Sequence, residues 1–204
     1  MALQSMQHRE IFADYDELGI HVYQAFEPRI ADAALAHGTF AAGFNLDRIT
    51  WIKPSLGWML HRSKFATAVR QERILKIKLP HDFFLNVLST AVLTAFESET
   101  YENQDDWRAA LRASPVRCQW DPDRDWRDDK LDRRAIQLGL AGSLVRDYVA
   151  AVMELKDVTP QAHQYLQLRH AGSRETPADY PQERVYAISP ALRERLGMKG
   201  DLAN

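Results

Sequence analysis

Residues 50–63, TWIKPSLGWMLHRS, combine residue types that one environment rarely suits. A buried hydrophobic segment does not favour the cations Lys53 and Arg62, and an exposed segment does not favour Trp51 and Trp58. An unpaired guanidinium in the interior costs several kcal/mol, a large part of the stability of a domain. Arg62 is therefore predicted to be paired with an acid, exposed to water, or placed in a pocket that receives an anion.

The geometry of a helix shows how this segment could form such a pocket. Pro54 favours an extended conformation before it, and Ser55 can cap a helix that runs to about residue 66. At 3.6 residues per turn, Ser55, Met59 and Arg62 share one face, with Trp58 beside them. Free backbone N–H groups at the start of this helix would favour a phosphate.

These features predict a site for an anion that carries an aromatic ring. Arg62 would bind a pyrophosphate, with Lys53 close by in the sequence. A flat ring would stack on Tyr23, Trp51 or Trp58. This combination is typical of a nucleotide site, and an ordinary ion pair between Arg62 and an acid is the alternative.

The charge of the chain is balanced overall but uneven along it. The net charge of −2 argues against a protein that binds nucleic acid through the charge of its whole surface. Residues 53–78, however, contain seven cations and Glu72 as their only acid. The segment is either a solvated face or a basic surface for phosphates.

Other motifs are weak. The sequence contains no phosphate-binding glycine loop, no G-x-S-x-G and no H-E-x-x-H, and its histidines show no spacing that predicts a metal site. Residues 121–126, DPDRDW, begin like a calcium loop but have Trp126 where the turn needs glycine. A different small-molecule enzyme would use Asp121 as a general base, with Arg117 and Trp120 beside it. Cys118, the single cysteine, is predicted to be a buried side chain.

The elements that must position these residues indicate one α+β domain over residues 1–204. Its core is predicted at about 8–168 and a loop-rich tail at 169–204. The patterns predict a mixed, partly antiparallel sheet flanked by helices. Strands are predicted at 20–26, 72–80, 115–120, 134–140 and 183–188. Helices are predicted at 28–37, 55–66, 82–96, 103–113 and 143–153.

Location and membrane contact follow from hydropathy. No apolar run approaches the 18–20 or so residues of a membrane span, and the first residues do not resemble a secretory signal. A cytoplasmic protein without a membrane partner is the expectation.

Several segments together resemble a known family: REIFADYD, VYQAF, IADAALAHGTF, TWIKPSLGWMLHRS, QERILKIKL, SPVRCQWDPDRD, RAIQLGL and VTPQAH. They are similar to the family catalogued as domain of unknown function 4291. The similarity runs from about residue 8 to residue 168 and continues at residues 180–198. The family name implies no activity.

The order of elements also resembles, more distantly, that of the ADP-ribosyltransferases, including toxins of that fold that modify nucleic acid. The resemblance implies NAD as a substrate, no metal, and residues on three elements. Tyr23 and Gln24 would lie on the first strand that faces NAD. Ser55, Met59 and Arg62 would form the second element. Gln137 would occupy the position of the catalytic glutamate.

Gln137 departs from the pattern of that fold. Cleavage of the bond between nicotinamide and ribose develops positive charge, which a carboxylate stabilises and a neutral amide does not. Either Gln137 suffices, or Asp121 or Glu183 supplies the charge, or the activity is absent. Two functions follow: an enzyme that transfers ADP-ribose from NAD, with DNA or RNA as one candidate acceptor, and a non-catalytic module that binds a nucleotide or nucleic acid.

Overall fold

A computed structural model describes residues 8–198, and the ends of the predicted domain, 1–7 and 199–204, lie outside it. The described residues form ten strands and seven helices. The strands are β1 (His8–Arg9), β2 (Phe12–Ala13), β3 (Gly19–Phe26), β4 (Thr50–Ile52), β5 (Arg73–Pro80), β6 (Ala91–Leu93), β7 (Val116–Arg124), β8 (Lys130–Leu140), β9 (Glu154–Asp157) and β10 (Arg184–Val185). The helices are α1 (Pro28–His37), α2 (Leu56–Ser63), α3 (His81–Thr90), α4 (Gln104–Ala113), α5 (Ser143–Ala151), α6 (Thr159–His170) and α7 (Pro190–Arg195).

Two larger sheets organise these elements. The first has the order β1-β8-β7-β6, with β4 also paired to β8, and it contains both parallel and antiparallel pairs. The second is antiparallel, in the order β3-β5-β9. Tyr23 of β3 and Lys53, which follows β4, exchange two backbone hydrogen bonds of 2.7 and 3.3 Å. This bridge joins the two sheets.

The sheets have helices on both faces. Neighbouring residues of a strand point to opposite faces. Val22 accordingly lies in the main core with residues of α1, α3 and α5, whereas Tyr23 lies in a second core with residues of α2 and α6. The α+β class, with mixed sheets flanked by helices, is confirmed.

The ends of the helices near the site follow local rules. Ser55 caps α2, because its Oγ accepts the N–H of Trp58 at 3.1 Å. This helix ends at Ser63, three residues before the predicted end. The next three residues, Lys64, Phe65 and Ala66, have φ values of 52°, 57° and 62°, which a right-handed helix does not allow.

The predicted helix 82–96 is wrong in its second half. Helix α3 ends at Thr90, and Ala91–Leu93 forms β6, which pairs with Val116, Arg117 and Cys118 of β7. A short apolar run is compatible with a buried helix and with a buried strand. Pairing with a distant strand therefore decides which of the two forms. Helix α6 and the short strands β1, β2 and β9 were not predicted.

The predicted tail contributes to the core. Tyr186, Leu196 and Met198 are buried in the main core. Trp120 donates its indole N–H to the Leu196 carbonyl at 2.9 Å. None of the helices within residues 8–198 has the length and apolar character that a membrane span requires.

Candidate functional site

Strand β7 separates an apolar face from a polar one. Its alternate residues Val116 and Trp120 are buried in the main core. The residues between and after them, Arg117, Gln119 and Asp121, are half-buried on the opposite face. This polar face is the starting point of the candidate site.

Two glutamine side chains hold the Asp121 carboxylate. Gln119 donates its amide N–H to Oδ1 at 2.8 Å, and Gln137 of β8 donates to Oδ2. Gln119 and Gln137 lie directly opposite in the β7–β8 register. The amide oxygen of Gln137 accepts no hydrogen bond from residues 8–198 and remains available as an acceptor. The structure thus places a carboxylate directly against the residue that the resemblance predicted as catalytic.

Strand β4 adds an aromatic ring and a cation to this face. Trp51 pairs with Gly139, where an added Cβ would approach the indole to 3.0 Å. Lys53 lies two residues further and therefore faces the same side. We refer to Lys53, Gln119, Asp121 and Gln137 as the polar cluster.

Lys53 is a buried cation without a direct partner. It is 6% exposed, and its ammonium forms no hydrogen bond or ion pair with any described residue. Burial and the nearby Arg62 guanidinium lower the pKa of Lys53 to about 8, and the Asp121 carboxylate opposes this shift. Lys53 therefore interacts electrostatically with both Arg62 and Asp121.

Arg62 is not locked to an acid. Helix α2 packs against β3 and β7 and carries Arg62 near its C-terminus. The side chain is exposed, and it has no ion pair in the part of the chain that the structure describes. It lines a cavity of about 590 Å³ between the ends of α2 and α6.

We call this cavity the basic cleft. Its lining is His61, Arg62, Lys64, Phe65, Thr67, Asp128, Leu166, Arg169 and His170. The carboxylate of Asp128 interacts with His61 at 2.6 Å and with Arg169 at 3.4 Å. The Arg169 guanidinium also lies 5.5 Å from the centre of the Phe65 ring. Three permanent cations and a single carboxylate give the cleft a positive potential.

One wall of the cleft has an unusual backbone. Lys64, Phe65 and Ala66 are consecutive non-glycine residues in the left-handed region, where each costs about 1–2 kcal/mol. The N–H of Phe65 donates to the Leu60 carbonyl at 2.8 Å, and the N–H of Ala66 donates to Ser63 Oγ at 3.1 Å. These bonds hold the turn and fix the position of Lys64 in the cleft.

Tyr23 and Gln24 are placed in the interior rather than at a ligand surface. Tyr23 is 0% exposed, and its hydroxyl has no hydrogen-bond partner among residues 8–198. Gln24 is 4% exposed; its amide donates to Thr50 Oγ1 and to the Trp51 carbonyl and accepts from the Tyr148 hydroxyl at 2.6 Å. Gln24 thus positions β4, and its contact with a ligand stays a prediction.

The start of α2 is already occupied by side chains of the protein. Besides capping the helix, Ser55 donates its hydroxyl to Asp123 at 2.7 Å. The Leu56 N–H donates to Glu183 at 2.6 Å. Two of the N–H groups that are predicted to bind a phosphate therefore already donate to side chains of the chain itself, those of Glu183 and Ser55.

Met59 and Trp58 differ in what they can contact. Met59 is 1% exposed and packs in the second core, and its contact with a ligand stays a prediction. The Trp58 ring stacks on His61 with centroids 5.0 Å apart and planes at 27°. Its indole N–H is buried and has no partner in the described part of the chain. Through His61, Trp58 forms an aromatic support behind the basic cleft.

Glu183 is not the acid beside Gln137. It is buried at the N-terminus of α2, and burial raises its pKa to about 8. Its closest cation is Arg133, at 3.9 Å. Of the two acids that the sequence offered, Asp121 is the one that adjoins Gln137.

The basic stretch 53–78 is not one continuous surface. Arg73 pairs with Asp157 and Asp32, Lys76 with Asp14, and Lys78 with Asp16, at distances of 2.6–2.8 Å. These four acids come from other parts of the chain. The prediction of a basic wall is therefore corrected: Arg62 and Lys64 of this stretch line the cleft.

Cys118 and the acidic turn have structural surroundings. Cys118 is buried, as predicted, and burial raises the pKa of its thiol. Asp123 is 1% exposed and binds Ser55 and Arg133. Within residues 8–198, no group of three or more His, Cys, Asp or Glu side chains could hold a metal ion.

Sequence analysis missed part of the site. Gln119, Asp128, Arg169 and His170 were not singled out. Each is an ordinary polar residue of a strand, turn or helix end, and no spacing pattern links them. Their proximity depends on the β7–β8 register and on the packing of α6 near α2.

The fold and the site define an α+β protein that has a basic cleft at the end of α2 and, on one face of β7, a carboxylate held by two amides. Residues 10–186 match the family described as Domain of unknown function (DUF4291), and the chain belongs to that family. The comparison with curated proteins found no match.

Proposed function

We propose that the chain binds NAD and transfers its ADP-ribosyl group to an acceptor, on a fold similar to that of the ADP-ribosyltransferases. One observation carries the proposal: Lys53, which has no ion pair among residues 8–198, interacts electrostatically with both Arg62 and Asp121, and Asp121 is hydrogen-bonded to Gln137. The arrangement offers an anion site next to a site for a developing positive charge.

The two cations suit a pyrophosphate. Like charges repel, and the repulsion is strongest where burial removes water. A bound anion would offset the repulsion that the exposed Arg62 exerts on the buried Lys53. A guanidinium binds phosphate oxygens with two parallel hydrogen bonds. The pyrophosphate of NAD supplies the two negative charges.

Asp121 and Gln137 suit the ribose that carries nicotinamide. In the proposed step, the bond between ribose C1′ and the nicotinamide nitrogen breaks, and its electron pair leaves with nicotinamide. An acceptor nucleophile forms the new bond to C1′ and loses its proton. The Asp121 carboxylate would stabilise the cationic ribose, and the free amide oxygen of Gln137 would accept a ribose hydroxyl. The exposed part of Trp51 offers a flat surface on the same face.

Release of nicotinamide from NAD tests the proposal. Asp121→Asn removes the charge with little change in size and is expected to lower kcat by about 10²–10³. Arg62→Ala is expected to raise KM for NAD by about tenfold or more. Arg112→Ala removes a cation from the exposed surface of α4 and should change neither constant.

Two results would count against the enzyme. Nicotinamide release that Asp121→Asn leaves unchanged would overturn the assignment of the site. Binding of NAD in calorimetry without any release would favour a non-catalytic nucleotide-binding module. One observation speaks for that second function: both oxygens of Asp121 are already engaged by amides, and the resemblance predicts a glutamate where Gln137 stands.

A further inference from the structure

We propose that the basic cleft binds the phosphates of a single-stranded nucleic acid, as the acceptor in the proposed transfer. The role of the nucleic acid as acceptor rests on the proposed function, whereas its binding to the cleft does not. The binding site itself is the basic cleft, whose lining includes Arg62 but no residue of the polar cluster. Its principal contacts would be Lys64 and Arg169.

The charges of the cleft favour a ligand with several phosphates. Lys64 has no ion pair with any residue from 8 to 198, and Arg169 holds Asp128 at the long distance of 3.4 Å. Together with Arg62, they make three cations in a cavity whose lining has one carboxylate, that of Asp128. Because the chain has a net charge of −2, this attraction is local rather than a property of the whole surface.

Aromatic groups in the cleft favour nucleotides over simple anions. The His61 ring lines the cavity and rests on the Trp58 indole, whose N–H is buried and has no partner among the described residues. Alternation of cations with stacked rings is typical of proteins that bind single strands without strong sequence preference. A base that stacks against His61 would bring its phosphate to Lys64.

The size of the cleft favours a single strand over a duplex. A cavity of about 590 Å³ lies within the range of about 300–1,000 Å³ that holds one small molecule. One or two nucleotides of an extended strand fit such a volume, whereas a double helix would meet only its rim. A duplex would also keep its bases away from His61.

Fluorescence anisotropy with labelled dT12 and U12 oligonucleotides tests the binding. The unmodified chain is expected to bind both, more weakly as salt rises. The double variant Lys64→Gln/Arg169→Gln should lose roughly tenfold or more in affinity at low salt. Its slope of log K against log salt should be shallower by about 1.4, because each phosphate that a cation neutralises adds about 0.7 to that slope.

Asp128→Asn provides a second test, in which oligonucleotide affinity is expected to rise rather than fall. Asp128 has a φ of 71°, a conformation that asparagine tolerates well, so the backbone should be kept. Loss of the carboxylate releases Arg169 and should tighten oligonucleotide binding several-fold. A purely structural role for Asp128 would weaken binding or leave it unchanged. Arg112→Gln on α4 is the matched control and should bind like the unmodified chain.

The outcomes separate this inference from the proposed function. Absence of oligonucleotide binding, or binding that is insensitive to the double variant, overturns the nucleic-acid site even when NAD is turned over. Binding that depends on Lys64 and Arg169, with no nicotinamide release, keeps the site and overturns the enzyme. Binding of a phosphoserine peptide in place of both oligonucleotides also overturns the inference.

Discussion

Burial, together with the Arg62 guanidinium in the last turn of α2, lowers the pKa of the Lys53 ammonium, which lies just after β4. Neither has an ion pair among residues 8–198. The backbone of Lys53 also forms the bridge between the two sheets. A buried charge that opposes folding therefore lies at the point where the two sheets meet.

Lys53→Met is expected to stabilise the protein. The folded pKa of about 8 lies below the value of about 10.4 in an unfolded chain, so the charged ammonium opposes folding at neutral pH. The free energy of unfolding should rise by up to about 3 kcal/mol at pH 7. Between pH 8 and 10.4 the unmodified protein should gain stability relative to the variant, because the unfolded state still holds the Lys53 proton that the folded state has released. Urea unfolding across this pH range measures both effects.

The control for that experiment is Lys156→Met, which removes an exposed lysine from β9. It should change stability by less than about 0.5 kcal/mol. Equal stability of Lys53→Met and the unmodified protein at pH 7 would show that the ammonium is compensated within the fold.

Glu183→Gln should remove a dependence of stability on pH. Burial raises the pKa of Glu183 to about 8, so the folded state keeps a proton that the unfolded state releases above about pH 4.5. The stability due to this proton is complete below pH 4.5 and is lost as pH rises through 8. The unmodified protein should therefore lose about 3–5 kcal/mol relative to Glu183→Gln between pH 5 and 9. Thermal unfolding at a series of pH values gives the difference.

The glutamine keeps an oxygen that can accept the Leu56 N–H at the start of α2. Glu175→Gln, at an exposed position, should leave the pH profile unchanged. A constant offset between Glu183→Gln and the unmodified protein at all pH values would contradict the raised pKa.

Arg193→Met should destabilise the fold strongly. Arg193 of α7 and Glu10 form a buried pair with two hydrogen bonds of 2.6 and 2.9 Å. Removal of the guanidinium leaves a buried carboxylate without its partner, which costs about 3–5 kcal/mol. The double variant Glu10→Gln/Arg193→Met should recover part of this loss in chemical unfolding. Arg108→Met breaks an exposed pair with Asp105 and should cost less than about 1 kcal/mol.

Gly57→Ala should displace α2. A Cβ at this position would lie 1.9 Å from the carbonyl oxygen of Arg124, a backbone atom of β7 that cannot turn away. The expected loss of stability is about 1–3 kcal/mol or more. Nicotinamide release should fall as well, because Arg62 moves with the helix.

Gly139→Ala is the comparison, since the atoms nearest to its Cβ belong to the side chain of Trp51, at 3.0 Å. A side chain adjusts more easily than a backbone, so this variant should be the milder of the two in unfolding. An equal loss for both would mean that α2 does not depend on its close approach to β7.

Local patterns predicted the elements that carry the site but not the way in which they meet. The strand with Tyr23 and the helix after Ser55 follow from β-branched residues, proline and a capping hydroxyl, which act over a few positions. The second half of the predicted helix 82–96 failed because Ala91–Leu93 is apolar enough for either element, and only pairing with β7 makes it a strand.

The candidate site divides in the same way. Lys53 and Arg62 could be singled out because cations within an apolar segment conflict with burial. Asp121 was one of two acids considered, and only the register of β7 against β8 places it against Gln137. Glu183 at the start of α2 depends on a contact across 127 positions, which no local pattern encodes. Lys64 and Arg169 likewise meet only because α6 packs near α2.

The last helix sets a practical boundary for any shortened version of this chain. The match to the family ends at residue 186, yet Arg193, the Leu196 carbonyl and Met198 complete the interior around Glu10 and Trp120. Truncation at the family boundary would expose an apolar surface. It would also leave the Glu10 carboxylate and the Trp120 indole N–H without their hydrogen-bond partners. Domain swaps and expression fragments should therefore extend at least through Met198.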